Sequence, residues 1–193
     1  MLSAYDTGLM VTFVADRTPD DVLRILGAEP DDIFPLTRSA AEAIERHNGD
    51  PDSAGSEIDL DELDDEDLRA RGFLVPDGKV VRAGQAGSWV YVIESSLPGI
   101  AREDAELLSE GTTVYSVSQT VNAAAWFTYA QDGEVRASCN PFYPQGDLPA
   151  GLDPEALRFS GAALKRVLTF LEEQAGIFIP GEADWTPLPS ACL

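Results

Sequence analysis

Three segments with apolar side chains at every second position, Thr112–Gln119, Ala123–Ala130 and Glu134–Cys139, follow one another with only short breaks. The last two are joined by Gln131-Asp132-Gly133, a sequence suited to a tight reversal. Period-two patterning buries one face of each segment and leaves little chain for crossovers, so the three segments predict an antiparallel meander. This block limits the fold more than any other feature of the sequence.

The remaining segments add helices to that sheet. Gly8–Val14 is rich in β-branched and large apolar residues and predicts a mostly buried strand. Thr18 then suits an N-cap, Pro19 the first helical position, and Asp20 and Asp21 the positive helix end, with Gly27 closing the helix. A second helix is predicted around Ser39–His47, ended by Asn48-Gly49. Phe73–Val75 and Lys79–Arg82 flank Pro76-Asp77-Gly78 and read as a hairpin, and Ser88–Glu94 alternates Trp89, Tyr91 and Ile93 with its neighbours. Ile100–Glu110 reads as an amphipathic helix stopped by Gly111. Leu157, Gly161, Leu164, Leu168, Leu171 and Ala175 recur at spacings of four and three and predict one long C-terminal helix, closed by Gly176 and widened by Val167 and Phe170. The Pro-rich end, Trp185 to Pro189, reads as an irregular tail packed by its Trp. The fold class is α+β: a mainly antiparallel sheet with helices packed on one face and an acidic insertion after the N-terminal β–α unit.

The 193 residues predict a single domain spanning 1–193. Its 13 Lys and Arg against 34 Asp and Glu give a net charge of −21, while a hydrophobic content of 44% is ordinary for a folded chain. The charge is concentrated: DPDSAGSEIDLDELDDED, residues 50–67, holds 10 acidic residues and no basic one, and reads as an exposed insertion or linker. Such acidity disfavours direct binding to nucleic acid or to an anionic membrane, both of which need cationic footprints. There is no apolar run long enough for a membrane span, and the first ten residues lack the basic start of a signal peptide. Two cysteines make neither a disulfide framework nor a zinc cluster, which fits a cytoplasmic location.

The order VTFVADRTPDDVLRILGAEP, GSWVYVIES, then GTTVYSVSQTVNAAAWFTYAQDGEVRASCNPFYPQ and finally AALKRVLTFLEEQAGIFI resembles an uncharacterised domain family of actinobacteria, a domain of unknown function. SVSQTVNAAAWFTYAQDGEV is its most specific part. The resemblance implies one domain and a cytoplasmic location, and brings no activity, cofactor or catalytic residue.

The residues themselves point away from catalysis. His47 is the sole histidine and sits at a predicted helix C-terminus, where the helix dipole accounts for it. Cys139 ends a strand with no cation on its own face and reads as a buried, inert thiol; Cys192 reads as exposed. No nucleophile elbow, zinc helix, phosphate loop or dinucleotide fingerprint is present, and no cofactor is expected. From Asp59, the run Asp59, Asp61, Asp64 and Asp65 lacks the Gly and Glu of a calcium loop. With Ile58, Leu60, Leu63 and Leu68 beside them, the carboxylates Asp59, Asp61, Glu62, Asp64, Asp65, Glu66 and Asp67 form a candidate docking element for a basic groove. Trp126, Tyr129, Phe142 and Tyr143 are the candidate aromatic contacts; alternation puts Trp126 with Thr128 on one face and Phe127 with Tyr129 on the other. Asn122 needs a partner if buried.

These features lead to a non-catalytic cytosolic interaction or regulatory protein, immunity- or inhibitor-like, that binds a basic protein partner by charge steering. The alternative is a small-ligand-binding protein or enzyme whose sheet pocket uses carboxylates and aromatics such as Asp132, Glu134, Trp126 and Tyr129. A second alternative is a nucleic-acid mimic, which requires carboxylates spaced like phosphates.

Overall fold

The strand-forming segments pair in one open, eight-stranded antiparallel sheet, in which every strand but the two at its ends has both hydrogen-bonding edges taken up by neighbours. The computed structural model describes residues 10–50, 65–94, 100–120, 122, 124–158, 162–173 and 175–193. In chain order the elements are β1 (Met10–Ala15), α1 (Pro19–Ile25), β2 (Phe34–Leu36), α2 (Arg38–Gly49), α3 (Asp65–Ala70), β3 (Val80–Ala86), β4 (Trp89–Glu94), α4 (Arg102–Leu108), β5 (Thr113–Gln119), β6 (Ala125–Gln131), β7 (Glu134–Cys139), α5 (Pro154–Arg158), α6 (Ala163–Glu173) and β8 (Leu188–Cys192). The strand order is β2-β8-β3-β4-β1-β5-β6-β7. The predicted meander is the β5-β6-β7 end of this sheet. Its last turn has Gln131 opposite Glu134, with Asp132 and Gly133 at φ 53° and 79°, the two positive values that a two-residue reversal of this kind requires.

The local signals at the N-terminus act as expected. Thr18 caps α1 by accepting from the Asp21 N–H, Pro19 opens the helix, and Gly27 follows it at φ 108°. On the sheet, alternation divides the side chains between two cores. Val14, Val90, Val92, Val114 and Ala130 face one way and are covered by Val22 and Leu23 of α1 and Ala105 and Leu108 of α4. This is the expected helical layer. Val11, Phe13, Tyr91, Tyr115, Val117 and Phe127 face the other way, and that side is covered as well, by Leu157 of α5 and by Val167, Leu168, Phe170 and Leu171 of α6. A third cluster places Ile44 of α2 against Leu68, Phe73 and Val80.

Three expectations are corrected. Phe73–Val75 is not a strand: the Asn48 side-chain amide donates to the carbonyls of Phe73 (2.9 Å) and Gly78 (3.1 Å), and Phe73 is buried in the third cluster. The hairpin partner of β3 is instead β4, turning at Gly87. The long C-terminal helix is two helices, α5 and α6, with residues 159–161 between them outside the described set. The Pro-rich end is irregular only as far as Pro187; from Leu188 it becomes β8, inserted between β2 and β3, while Trp185 is 70% exposed rather than packed. Proline is tolerated there because Pro189 lies opposite Pro35, beyond the stretch where β8 also pairs with β3. The predicted insertion, 50–67, falls mostly on residues outside the described set; α3 begins at Asp65.

Candidate functional site

The sheet face beneath α1 and α4 changes character along its length. Where β1, β5 and β6 carry Val14, Val114 and Ala130, the face is apolar and buried. One step along each strand, the same face carries Thr12, Ser116 and Thr128. These pair in register across β1, β5 and β6, and Thr128 lies opposite Ser138 of β7, so four hydroxyls cross four strands in one row. The row is joined in pairs: Thr12 Oγ1 donates to Ser116 Oγ at 3.0 Å, and Thr128 Oγ1 lies 3.1 Å from Ser138 Oγ.

A bulge completes the row. Tyr129 faces Ala137, whereas Ala130 faces Val135, which leaves Arg136 as the extra residue of β7. Strict alternation would put Val135 and Ser138 on opposite faces; the bulge returns both to the same one, Val135 into the apolar core and Ser138 beside Thr128.

Next to the row opens a cleft of about 310 Å³ lined by Ser116, Ser118, Trp126, Thr128 and Ser138 from the sheet and by Ile100, Ala101 and Arg102 at the start of α4. Trp126 is 49% exposed, and its indole Nε1 donates to Ser138 Oγ at 2.8 Å, which fixes the ring plane at the cleft. Thr12 spends its proton on Ser116, and neither the Ser116 O–H nor the Ser118 hydroxyl has a partner for its own proton among the described residues. Arg102 Nε is held by Glu106 at 3.0 Å. Among the described residues the site therefore offers hydroxyls that donate and accept, one fixed aromatic plate and no carboxylate in its lining.

Of the residues singled out from sequence, Trp126 alone lines this cleft. Tyr129 points to the opposite face, where it stacks on Tyr115 at 5.3 Å and donates to Gln131 Oε1. Asp132 and Glu134 are exposed at the hairpin end of β6 and β7, away from Trp126, so the carboxylate–aromatic pocket expected from those four residues is not assembled. Phe142 (37% exposed) and Tyr143 (73%) sit in the turn after β7, where the Phe142 N–H donates to Asn140 Oδ1. Asp59, Asp61, Glu62 and Asp64 lie outside the described residues, as does the side chain of Asp65; Glu66 and Asp67 are exposed on α3. Asn122 is exposed, and His47 occupies the last turn of α2. Cys139 is buried, as expected; Cys192 is half-buried rather than exposed, and burial, with Glu45 nearby, pushes its thiol up to about 11. Ser116, Ser118, Ser138 and Arg102 were not evident from sequence, and Thr128 was placed on the face of Trp126 without being singled out as a contact. The alternating Ser116 and Ser118 in VYSVSQ is the one signal that marks a polar stripe on an otherwise apolar strand.

A second cavity, about 480 Å³, lies between α5 and α6, with Lys165 and Arg166 at its rim and Leu152 and Phe170 within. Among the described residues no three His, Cys, Asp or Glu side chains converge as a metal-binding group, and no helix is long and apolar enough to cross a membrane.

Residues 2–160 match a family model described as a family of unknown function, DUF6461, and the chain belongs to that family. The matched residues run from β1 through α5 and include the cleft; α6 and β8 lie beyond them. No curated protein and no solved structure matches the chain.

Proposed function

We propose that this DUF6461 member binds a small polar molecule in the cleft at the polar end of its sheet, without performing chemistry on it. The observation that carries the reading is the Trp126–Ser138 bond beside the hydroxyl row. A half-exposed Trp held in one orientation, next to hydroxyls with unspent protons, is a preorganised contact surface; an ordinary buried sheet face would carry apolar residues there. Thermal-shift screening of the chain against a metabolite library tests it. Stabilising compounds whose effect disappears in Trp126→Ala are the expected result. No hits, or hits that the substitution leaves unchanged, count against a ligand site here.

A second reading rests on charge. A net charge of −21 favours fast, salt-sensitive association with a basic protein, and Asp59 to Asp67, with Phe142 and Tyr143 as exposed aromatics, are the candidate contacts. This is the regulatory or immunity-like role, in a cytoplasmic setting. Capture of one basic protein that elutes with salt, and its loss on deletion of 50–67, would support it. Equal capture by the deletion variant would move the contact onto the folded body.

A further inference from the structure

The cleft's chemistry restricts its ligand further than the proposal above, on which this step rests. Among the described residues its lining holds no carboxylate to neutralise a cation. The one cation among its described lining residues, Arg102, has its Nε bonded to Glu106, which offsets its charge, and a net charge of −21 on the chain disfavours the approach of anions. The described lining thus gives neither sign of charge a countercharge of its own, which favours a neutral ligand.

The hydroxyls narrow the class again. Ser116, Ser118, Thr128 and Ser138 each donate and accept, and they are spread along two strand positions rather than gathered at one point. A ligand that bears several hydroxyls of the same dual character matches such a row, because each pair can settle its donor and acceptor by rotation. Trp126 contributes no further donor, since its N–H is spent on Ser138; what it presents is the ring face, suited to the apolar C–H side of a saturated ring. A cleft of about 310 Å³ stands at the lower end of ligand-pocket sizes, about 300–1,000 Å³, which suits one ring rather than a dinucleotide. We infer that the cleft between β5–β7 and the start of α4 is a binding site for an uncharged polyhydroxylated ring compound, a monosaccharide or cyclitol, lying against Trp126 with its hydroxyls on Ser116, Ser118 and Thr128.

The test uses the full chain, ¹⁵N-labelled, with the indole N–H resonance of Trp126 assigned by Trp126→Phe. Glucose and myo-inositol are the neutral probes; glucose 6-phosphate and adenosine are the charged and the flat aromatic comparators. The expected result is a saturable shift of the Trp126 indole and of the Ser116 and Ser118 amides with a neutral probe. Ser118→Ala, which removes one partly exposed hydroxyl and leaves the core intact, should weaken that binding by about tenfold. If only glucose 6-phosphate or only adenosine moves these resonances, the polyhydroxyl assignment is overturned while the ligand-site reading stands. If no probe moves them, the assignment is overturned as well, and the thermal-shift screen decides the ligand-site reading separately.

Discussion

Arg82 of β3 donates from Nη2 to the main-chain oxygen of Ala183 at 2.5 Å, across 101 residues of sequence, with its side chain only 2% exposed. The same guanidinium donates to the carbonyls of Leu36 (3.2 Å) and Thr186 (3.4 Å). One buried cation thus joins β2, β3 and the segment that leads into β8. Arg82→Ala leaves those carbonyls without their donor and should cost about 3–5 kcal/mol in urea denaturation. Hydrogen exchange should show the Ala191 and Cys192 amides losing protection before those of β1. A loss below about 1 kcal/mol, or uniform loss of protection, would contradict this role.

Glu94, at the end of β4, is held protonated up to about pH 7 because burial disfavours its charge; Asp104 and Glu45 push the same way and Lys79 opposes them. Unfolded, the carboxyl ionises near its ordinary 4.5. Below that value both states are protonated and the group has no effect on stability. As pH rises from 4.5 to about 7 the unfolded chain releases its proton and the folded chain does not, so stability falls through that window and levels off above it. Glu94→Gln should match the wild type at about pH 4 and exceed it by about 1–3 kcal/mol at about pH 8. Equal stability of the two proteins at the higher pH would remove the basis of this prediction.

Gly84 lies opposite Tyr91 in the β3–β4 pair, and the Tyr91 ring crosses it so closely that a Cβ there would collide with the ring. Gly84→Ala should destabilise by about 1–3 kcal/mol, because Tyr91 is buried among Phe13, Tyr115 and their neighbours and has little room to retreat. Adding Tyr91→Leu should remove most of the additional penalty. A thermodynamic cycle with no coupling between the two positions would rule out the collision as its cause.

The Cys192 thiol, pushed up to about 11, is almost wholly protonated at neutral pH, and Cys139 is buried at the end of β7. At about pH 8 only about 0.1% of a thiol with that value is thiolate, so disulfide-exchange reagents should label the folded chain slowly. Both cysteines should react promptly in urea. Fast labelling of Cys192 in the native protein would mean its surroundings are more open than described.

What the sequence disclosed, and what it withheld, follows from the range of the interactions involved. Thr18, Pro19 and Gly27 act within one helix, and Asp132-Gly133 within one turn, so local chemistry reveals them. The faces of Trp126 and Phe127 follow from alternation along a single strand. β8 was hidden because Pro189 and Pro187 argue against a strand unless the opposing Pro35 is known. Asn48 looked like a helix terminator, yet its amide closes the connection to β3, a role set by residues far along the chain. The hydroxyl row is least legible of all. Each strand supplies one or two hydroxyls, and only the register of four strands and the bulge at Arg136 align them.

The place of β8 also sets an order of assembly. β2 has no partner in the sheet except β8, and β8 is made from residues 188–192, after every other described element. As the chain leaves the ribosome, β3, β4, β1, β5, β6 and β7 can pair among themselves, but β2 must wait with both of its edges open. The final join is therefore a late, long-distance event, in which Arg82 receives the arriving segment and one side of the sheet acquires its last two strands together.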